Sequence, residues 1–461
     1  MQISPARRAA FHILRRVEDE QAYSSALLAS ADVDLDSKDR ALCHQLVLGP
    51  LRRQLWLDRT VEHFAGRKTD SFDLPVVIAL RLGLYQLRFL SRIPASAAIN
   101  ESVNLVKAAR VKSASGLVNA VLRRATREPD YDPSSVVVDA IEKVSIQSSH
   151  PRWLIERWAD QFGLENAAAM ARAHNESAGL SFRLTAKAGS DDRKSPAEII
   201  GELAAAGVVT ESRIVPGAWR LGDSASYDQT GKDPGATQAR MAALLRRLSD
   251  DGLIYFQDEA SQLVANLLDV RDGMRVLDVC AAPGSKSTLI ASLSPKSEIA
   301  GCDLYEHRVR TMKQLAAKQE ASNIAFVIHD ATRPLAFAPR SFDRVLLDAP
   351  CSGTGTLRRN PEIRWRLKPS DFAELADKQK LMLKHAADSV RQGGVLLYST
   401  CSLETEENEA IAADFLDHQG DFEPAPLPTR ADLITKTGAV RTWPHRDPVD
   451  GFFAMAFRRK Q

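Results

Sequence analysis

Six short apolar runs separated by stretches of helical period constrain the C-terminal half of this 461-residue chain more than any other feature. They are Arg275 to Val279, Glu298 to Cys302, Ile324 to Ile328, Phe342 to Leu347, Val395 to Ser399 and Phe452 to Phe457. A strand that is apolar on both faces has to be covered on both, and helices between successive strands supply the cover. The pattern therefore predicts a parallel sheet in a Rossmann-like α/β arrangement. Ligands in such sheets bind beyond the carboxyl ends of the strands.

Upstream the period changes. The first 130 residues show only helical spacing, beginning with Ser4-Pro5 as a start signal and Ala10, Ile13, Leu14 and Val17 on one face. Between Gln86 and Arg127 eight bases, Arg123 and Arg124 among them, stand against one acid, Glu101. That is the footprint of a phosphate-binding helical face, and it makes Arg123 and Arg124 candidate RNA contacts. Turn-rich passages at Pro129 to Ser135 and at Ser148 to Pro151 place a boundary between them. Three segments result: an all-α bundle over 1–135, a small α+β domain over 145–245, and the α/β domain over 250–461. In the middle segment Trp153 to Ala173 and Pro196 to Ala206 read as helices, Leu180 to Leu184 and Trp219 to Leu221 as strands, and Gly222 to Gly235 as loop.

No apolar run reaches 18 residues and the N-terminus lacks the unbroken apolar stretch of a secretory signal, so neither a membrane protein nor a secreted one is expected. The five cysteines, Cys43, Cys280, Cys302, Cys351 and Cys401, form no C-x-x-C pair and have no histidine at ligand spacing. No metal site follows, and free thiols point to a reducing, cytoplasmic compartment. A monomer is the default expectation.

The informative residues sit at the strand ends. The first strand leads into Cys280-Ala281-Ala282-Pro283-Gly284-Ser285-Lys286 and then a helix, a loop of small residues that lets a ligand approach the helix N-terminus. The spacing is not that of a nucleotide phosphate loop, and a plain structural turn is the alternative. Asp303 ends the second strand, placed to accept from ribose hydroxyls, and Asp330 ends the third, placed to accept from an adenine amino group. Ribose and adenine without a pyrophosphate loop fit S-adenosylmethionine better than a dinucleotide. The fourth strand ends in Asp348-Ala-Pro-Cys351 and the fifth in Thr400-Cys401, so two thiols and an acid reach one pocket. Methylation at carbon 5 of a pyrimidine needs such a set. A thiolate adds to carbon 6, carbon 5 becomes nucleophilic, a hydrogen-bonding group such as Asp348 stabilises the ring edge, and the proton on carbon 5 must leave.

These motifs resemble the RNA (cytosine-5)-methyltransferase superfamily, and within it the Sun/RsmB family that acts on bacterial 16S ribosomal RNA. The resemblance rests on Gln257-Asp-Glu-Ala-Ser261, Asp278-x-Cys-Ala-Ala-Pro-Gly-x-Lys286, Asp303, Asp330-Ala331, Asp348-Ala-Pro-Cys-Ser-Gly-x-Gly355, Arg358-Arg-Asn-Pro-Glu362, Thr400-Cys-Ser402 and Asp450-Gly-Phe-Phe453. The first 130 residues resemble the NusB-like RNA-binding helical domain of that family. The resemblance implies S-adenosyl-L-methionine as cofactor, Cys401 as nucleophile and Cys351 as the thiol that assists product release. Ser285 departs from the glycine usual there. Arg358, Arg359, Arg364, Arg366 and Lys368, with Glu362 the only acid among them, would hold the RNA backbone beside a flipped cytosine, a solvated basic loop being the alternative. Tyr398 and Pro350 would wall the site. Other readings stay open: a non-catalytic RNA-binding factor on the same scaffold, a Rossmann oxidoreductase, or the same chemistry on tRNA.

Overall fold

A computed structural model describes residues 3–32, 34–190, 194–206, 209–212, 214–221 and 234–461. The chain divides into two compact units, Met1–Ser177 with Thr356–Leu367, and Ala178–Gly355 with Lys368–Gln461.

Among the described residues, every regular element of the first unit is a helix. Ser4 lies extended before the helix Pro5–Asp19, whose buried stripe is Ala6, Ala10, Phe11, Ile13, Leu14 and Val17. That stripe packs into a core with Leu46 and Val47 of Ser37–Arg52, Leu57 and Val61 of Gln54–Ala65, Leu80 and Leu84 of Leu74–Phe89, Ile99 and Val106 of Ala95–Ala108, and Val118 and Leu122 of Ser115–Arg127. Local signals set the ends: the Asp36 carboxylate accepts from Asp39 N at 2.8 Å, and Asp139 does the same for Glu142 N at 2.7 Å ahead of Ala140–Ser148. The helices Ala140–Ser148, Arg152–Phe162 and Leu164–Ala173 belong to this unit, which corrects the boundary expected near residue 145. The physical reason is burial: Trp56 N donates to Ser149 Oγ at 3.0 Å, and His150, Trp158 and His174 form a fully buried ring cluster.

The second unit holds two sheets. The smaller is antiparallel, in the order β2-β3-β1-β4, with β1 (Ser181–Leu184), β2 (Val209–Glu211), β3 (Ala218–Leu221) and β4 (Ile254–Phe256). The expected helix Pro196–Ala206 packs on it through Ile199 and Leu203, with Ser195 and Glu198 forming a capping box. Of the loop expected over Gly222 to Gly235, residues 222–233 lie outside the described residues, and Pro234 and Gly235 already belong to the helix Pro234–Asp250.

The larger sheet runs β10-β12-β9-β8-β5-β6-β7, with β11 also paired to β12. Its strands are β5 (Arg275–Asp278), β6 (Glu298–Asp303), β7 (Ile324–Ile328), β8 (Phe342–Asp348), β9 (Val390–Thr400), β10 (Phe422–Ala425), β11 (Val440–Thr442) and β12 (Phe452–Arg459). The five strands β5 to β9 are parallel, as expected, but β12 runs antiparallel to β9, pairing Phe453 with Thr400, so the sheet is mixed. Successive residues alternate between two cores. Val276, Leu346 and Leu397 face Leu263, Leu289 and Ile290, whereas Leu277, Leu347 and Tyr398 face Leu383, Ile411 and Phe415. Strand order reverses between β5 and β8, which opens a crevice at their carboxyl ends.

Candidate active site

The loop from Cys280 to Lys286 fills one side of that crevice. Its backbone folds back on itself, Ala281 N donating to Cys302 O and Gly284 N to Ala281 O, each at 2.7 Å. Gly284 caps the following helix Ser285–Leu293 with φ of 99°, a left-handed conformation that a side chain would strain. Behind the loop, Arg183 of β1 is 1% exposed and braces the helix start, donating to Ser285 O at 3.1 Å, Thr288 Oγ1 at 2.9 Å and Gln319 Oε1 at 3.1 Å. Burial brings this guanidinium down to about 10.

The acids follow in strand order. Asp303, buried at the end of β6, accepts Tyr305 N at 3.1 Å, and Leu304 and Tyr305 beside it stand half exposed. Asp330 lies two residues past β7, its carboxylate fixed by the Thr332 hydroxyl at 2.6 Å and Thr332 N at 3.0 Å; that hydroxyl bond, followed by the amide, holds it below the usual range. A strand-end acid bordered by exposed apolar side chains suits a ribose carrying a flat base, and the free N–H groups at Ser285 suit a carboxylate. The residues present thus fit S-adenosyl-L-methionine. Asp278 serves a different purpose. It is fully buried at the end of β5, takes the Ser287 hydroxyl at 2.6 Å on one oxygen, has no partner on the other, and burial pushes it up to about 7.

Lys286 was expected on the cofactor, but its Nζ reaches across the switch point to Asp348 Oδ2 at 2.5 Å. The Ser399 hydroxyl holds the other Asp348 oxygen at 2.7 Å, a contact set by the β8–β9 register that places Asp348 opposite Ser399. Burial alone would lower the lysine. The charge and hydrogen bond of Asp348 outweigh it, so the ammonium is held above its ordinary value.

Next to this pair the two thiols meet. Cys351 Sγ lies 3.4 Å from Cys401 Sγ, and the hydrogen bond between them, followed by burial, raises Cys351 well above the ordinary thiol range. Two glycines allow the approach of their loops. Gly355 N donates to Cys401 O, and Gly451 N to Gly355 O, both at 2.9 Å; a Cβ on Gly355 would sit 2.1 Å from Gly451 O.

Sequence reasoning missed the residue that ties these loops together. Glu407, with no exposed surface, accepts Ser352 N at 2.9 Å, Gln379 Nε2 at 3.0 Å and the Ser402 hydroxyl at 2.5 Å, and also takes the Ser352 hydroxyl. It stands in the acidic run Glu404-Thr-Glu-Glu-Asn-Glu409, which by composition reads as a solvated surface. Tyr398 lies beneath the site and not in its wall, fully buried with its hydroxyl donating to Glu407 O at 2.6 Å, and Pro350 is exposed at the rim.

The basic segment after the Pro-Cys loop is not a free phosphate clamp. Arg364 is fully buried in the helical unit, donating to Ser149 O and Asn175 Oδ1, both at 3.1 Å, and burial lowers it to about 9. Arg366 donates to Ala22 O at 2.7 Å, Arg358 is buried, and Arg359 is half-buried. The adjacent Glu362 takes Ser24 N and Oγ at 2.8 and 2.9 Å. Arg364 is therefore a structural cation, its Nη1 and Nη2 donors used on backbone and amide oxygens that would otherwise be buried without partners. Arg123 and Arg124 are exposed, the first donating to Asn119 Oδ1 at 3.1 Å and the second paired with Glu128 at 3.6 Å. Among the described residues there is no metal-binding cluster, and no helix is long and apolar enough to cross a membrane.

Comparison with known proteins agrees with this geometry. The family described as 16S rRNA methyltransferase RsmB/F matches residues 265–458, and the NusB family matches 4–127. The crystal structure of PH0851 superposes with a TM-score of 0.79 over the whole of both chains at 25% identity. NSun6 from Pyrococcus horikoshii with SFG shares the fold over 68% of this chain and 98% of its own, with a TM-score of 0.57 and 21% identity. Fold and site together define a Rossmann-type methyltransferase that uses S-adenosyl-L-methionine and carries a NusB-type helical domain. The probable ribosomal RNA small subunit methyltransferase B of Bacillus subtilis (strain 168) is 34% identical over the full length of both chains, and a ribosomal RNA small subunit methyltransferase B of Erwinia tasmaniensis is 32% identical over 96% of each. The chain belongs to the ribosomal RNA small subunit methyltransferase B family.

Proposed function

We propose that this enzyme methylates carbon 5 of a cytosine in 16S rRNA through a covalent adduct with Cys401. The observation that carries the reading is the thiol pair, 3.4 Å apart at the ends of β8 and β9 and beside the Lys286–Asp348 pair. Methylation of an exocyclic amino group has no use for a thiol, whereas carbon 5 becomes nucleophilic only after a thiolate adds to carbon 6.

The family resemblance makes Cys401 the attacking sulfur, and Cys351 Sγ, 3.4 Å away, is placed for its S–H to donate to it. Asp348 takes the ring edge of the cytosine, and the Lys286 ammonium at its side stabilises the negative charge that addition pushes onto that edge. The loop from Cys280 to Ser285, with Asp303 and Asp330, would hold S-adenosyl-L-methionine, which would supply an electrophilic methyl group. Afterwards the proton on carbon 5 passes to solvent. The electron pair of that C–H bond becomes the C5=C6 double bond, and the C6–S bond breaks with its pair returning to Cys401, where the Cys351 S–H stabilises the departing thiolate.

The relatives named for the small ribosomal subunit support rRNA as substrate, and the NusB-type helices, with Arg123 and Arg124 exposed, support an RNA contact there. The enzyme would work as a monomer in the cytoplasm. The test is nucleoside analysis of naked 16S rRNA and small-subunit particles after incubation with enzyme and cofactor. 5-Methylcytidine, absent with Cys401→Ala, is the expected product; N4-methylcytidine or a methylated purine would overturn the reading.

A further inference from the structure

We propose that Glu407 is a positioning residue for product release, holding Cys351 so that its S–H points at Cys401. The inference deepens the two-thiol reading and rests on it.

Three of the four donors that converge on the Glu407 carboxyl come from the Cys351 side. Ser352 N belongs to the residue after Cys351, the Ser352 hydroxyl is bonded as well, and Gln379 Nε2 donates both to Glu407 and to Pro350 O, the residue before Cys351, each at 3.0 Å. The peptide units on either side of Cys351 are thus fixed by one carboxyl and the amide it orients. Tyr398 completes the clamp, its hydroxyl against Glu407 O at 2.6 Å and Gln379 Oε1 at 3.2 Å.

On the Cys401 side Glu407 holds only the Ser402 hydroxyl. Cys401 has anchors of its own. Thr400 is paired with Phe453 in the sheet, its hydroxyl is bonded to Asn408 Oδ1, and the carbonyl of Cys401 is bound by Gly355 N. Losing the Glu407 carboxyl therefore loosens Cys351 while leaving the nucleophile in place. Cys351 is the group that hydrogen-bonds the sulfur leaving carbon 6, so the step that suffers is breakdown of the adduct and not its formation. Glu407 itself touches no reacting atom.

The test follows adduct and product separately. Wild type, Cys401→Ala, Cys351→Ala and Glu407→Gln are incubated with 16S rRNA and tritium-labelled cofactor. Label in RNA and covalent protein–RNA adduct on a denaturing gel are read in the same samples. The proposal expects Glu407→Gln to form adduct at the wild-type rate and to release methylated RNA about tenfold more slowly, the loss expected when hydrogen bonds to a charged group are removed. Adduct then accumulates as in Cys351→Ala, and a variant combining Cys351→Ala with Glu407→Gln accumulates no more than Cys351→Ala alone. Gln379→Met, which removes the Pro350 and Glu407 contacts and leaves the carboxyl, is expected to shift the same balance more weakly. A purely structural role would lower adduct and product together along with the melting temperature, and that result, or unchanged release in Glu407→Gln, overturns the proposal. Absence of any adduct in Cys351→Ala, or label persisting in Cys401→Ala, overturns the two-thiol reading itself and so is told apart from a failure of Glu407 alone.

Discussion

Gly355→Ala is the substitution whose consequence the structure states most directly. The added Cβ would lie 2.1 Å from Gly451 O and 2.8 Å from Cys401 O, against the 3.4 Å or more of an ordinary contact. All the obstructing atoms are backbone, so no side chain can swing aside. The loop carrying Cys351, the Cys401 turn or the Gly451 turn must instead move by roughly 1 Å, and a displacement of that size in a reacting constellation costs about 100-fold in rate. Overpacking and the two backbone bonds through Gly355, each 2.9 Å, add about 2–4 kcal/mol of lost stability. The cofactor loop follows β5, and the backbone bonds that fold it, to Cys302 O and Ala281 O, do not pass through Gly355, so cofactor affinity should hold. The assay pairs single-turnover methyl transfer at saturating cofactor with calorimetric titration of the cofactor and a thermal melt. The variant should bind cofactor normally, melt several degrees lower and transfer at about 1% of the wild-type rate. Transfer within about threefold of wild type would refute the claim that this backbone crossing sets the thiol geometry.

Two further outcomes follow from buried charges. Asp278 titrates at about 7 where an ordinary aspartate titrates at 3.8, so between those pH values the native protein keeps a proton that the unfolded chain has lost. Stability therefore falls as pH rises from about 4 to about 7 and levels above, by at most about 4 kcal/mol at about 1.4 kcal/mol per pH unit. In urea denaturation across this range Asp278→Asn should lose that slope and be the more stable form above pH 7, and a slope unchanged in the variant would contradict the assignment. Arg364→Met should destabilise the helical unit by about 3 kcal/mol, because it strands buried carbonyl oxygens, while leaving the salt dependence of RNA affinity unchanged. Arg123→Ala with Arg124→Ala should instead flatten that salt dependence by about two phosphate contacts and barely move the melt. The opposite pairing of effects would return Arg364 to the RNA interface.

What was legible in the sequence is what local chemistry decides. A strand ending in an acid or a thiol places that group at the crevice whatever the rest of the fold does, so Asp303, Asp348, Cys351 and Cys401 could be placed from period and position alone. Lys286 was placed on the correct loop, but the partner it reaches belongs to a strand 62 residues away, and loop composition carries no record of that direction. The edge strands β10 and β11 are short and lack a long apolar run, and only pairing with β12 defines them. Glu407 and Arg364 escaped for a shared reason. Charged residues in charged stretches imply solvent, and both are buried because distant backbone groups need their hydrogen bonds. The segment Thr356–Leu367 shows the same limit at larger scale, lying within the methyltransferase sequence while its side chains complete the helical unit.

The central claim is that Cys401 bonds to the cytosine ring during the reaction. RNA carrying 5-fluorocytidine tests it most directly, because fluorine on carbon 5 cannot leave as a proton does and the adduct persists after methyl transfer. Digestion and mass spectrometry of the trapped complex should give a peptide with a methylated fluorocytidine on Cys401, from wild type and not from Cys401→Ala. Turnover on ordinary RNA with no trapped species on the fluorinated RNA, or a trapped nucleotide on Cys351, would contradict it.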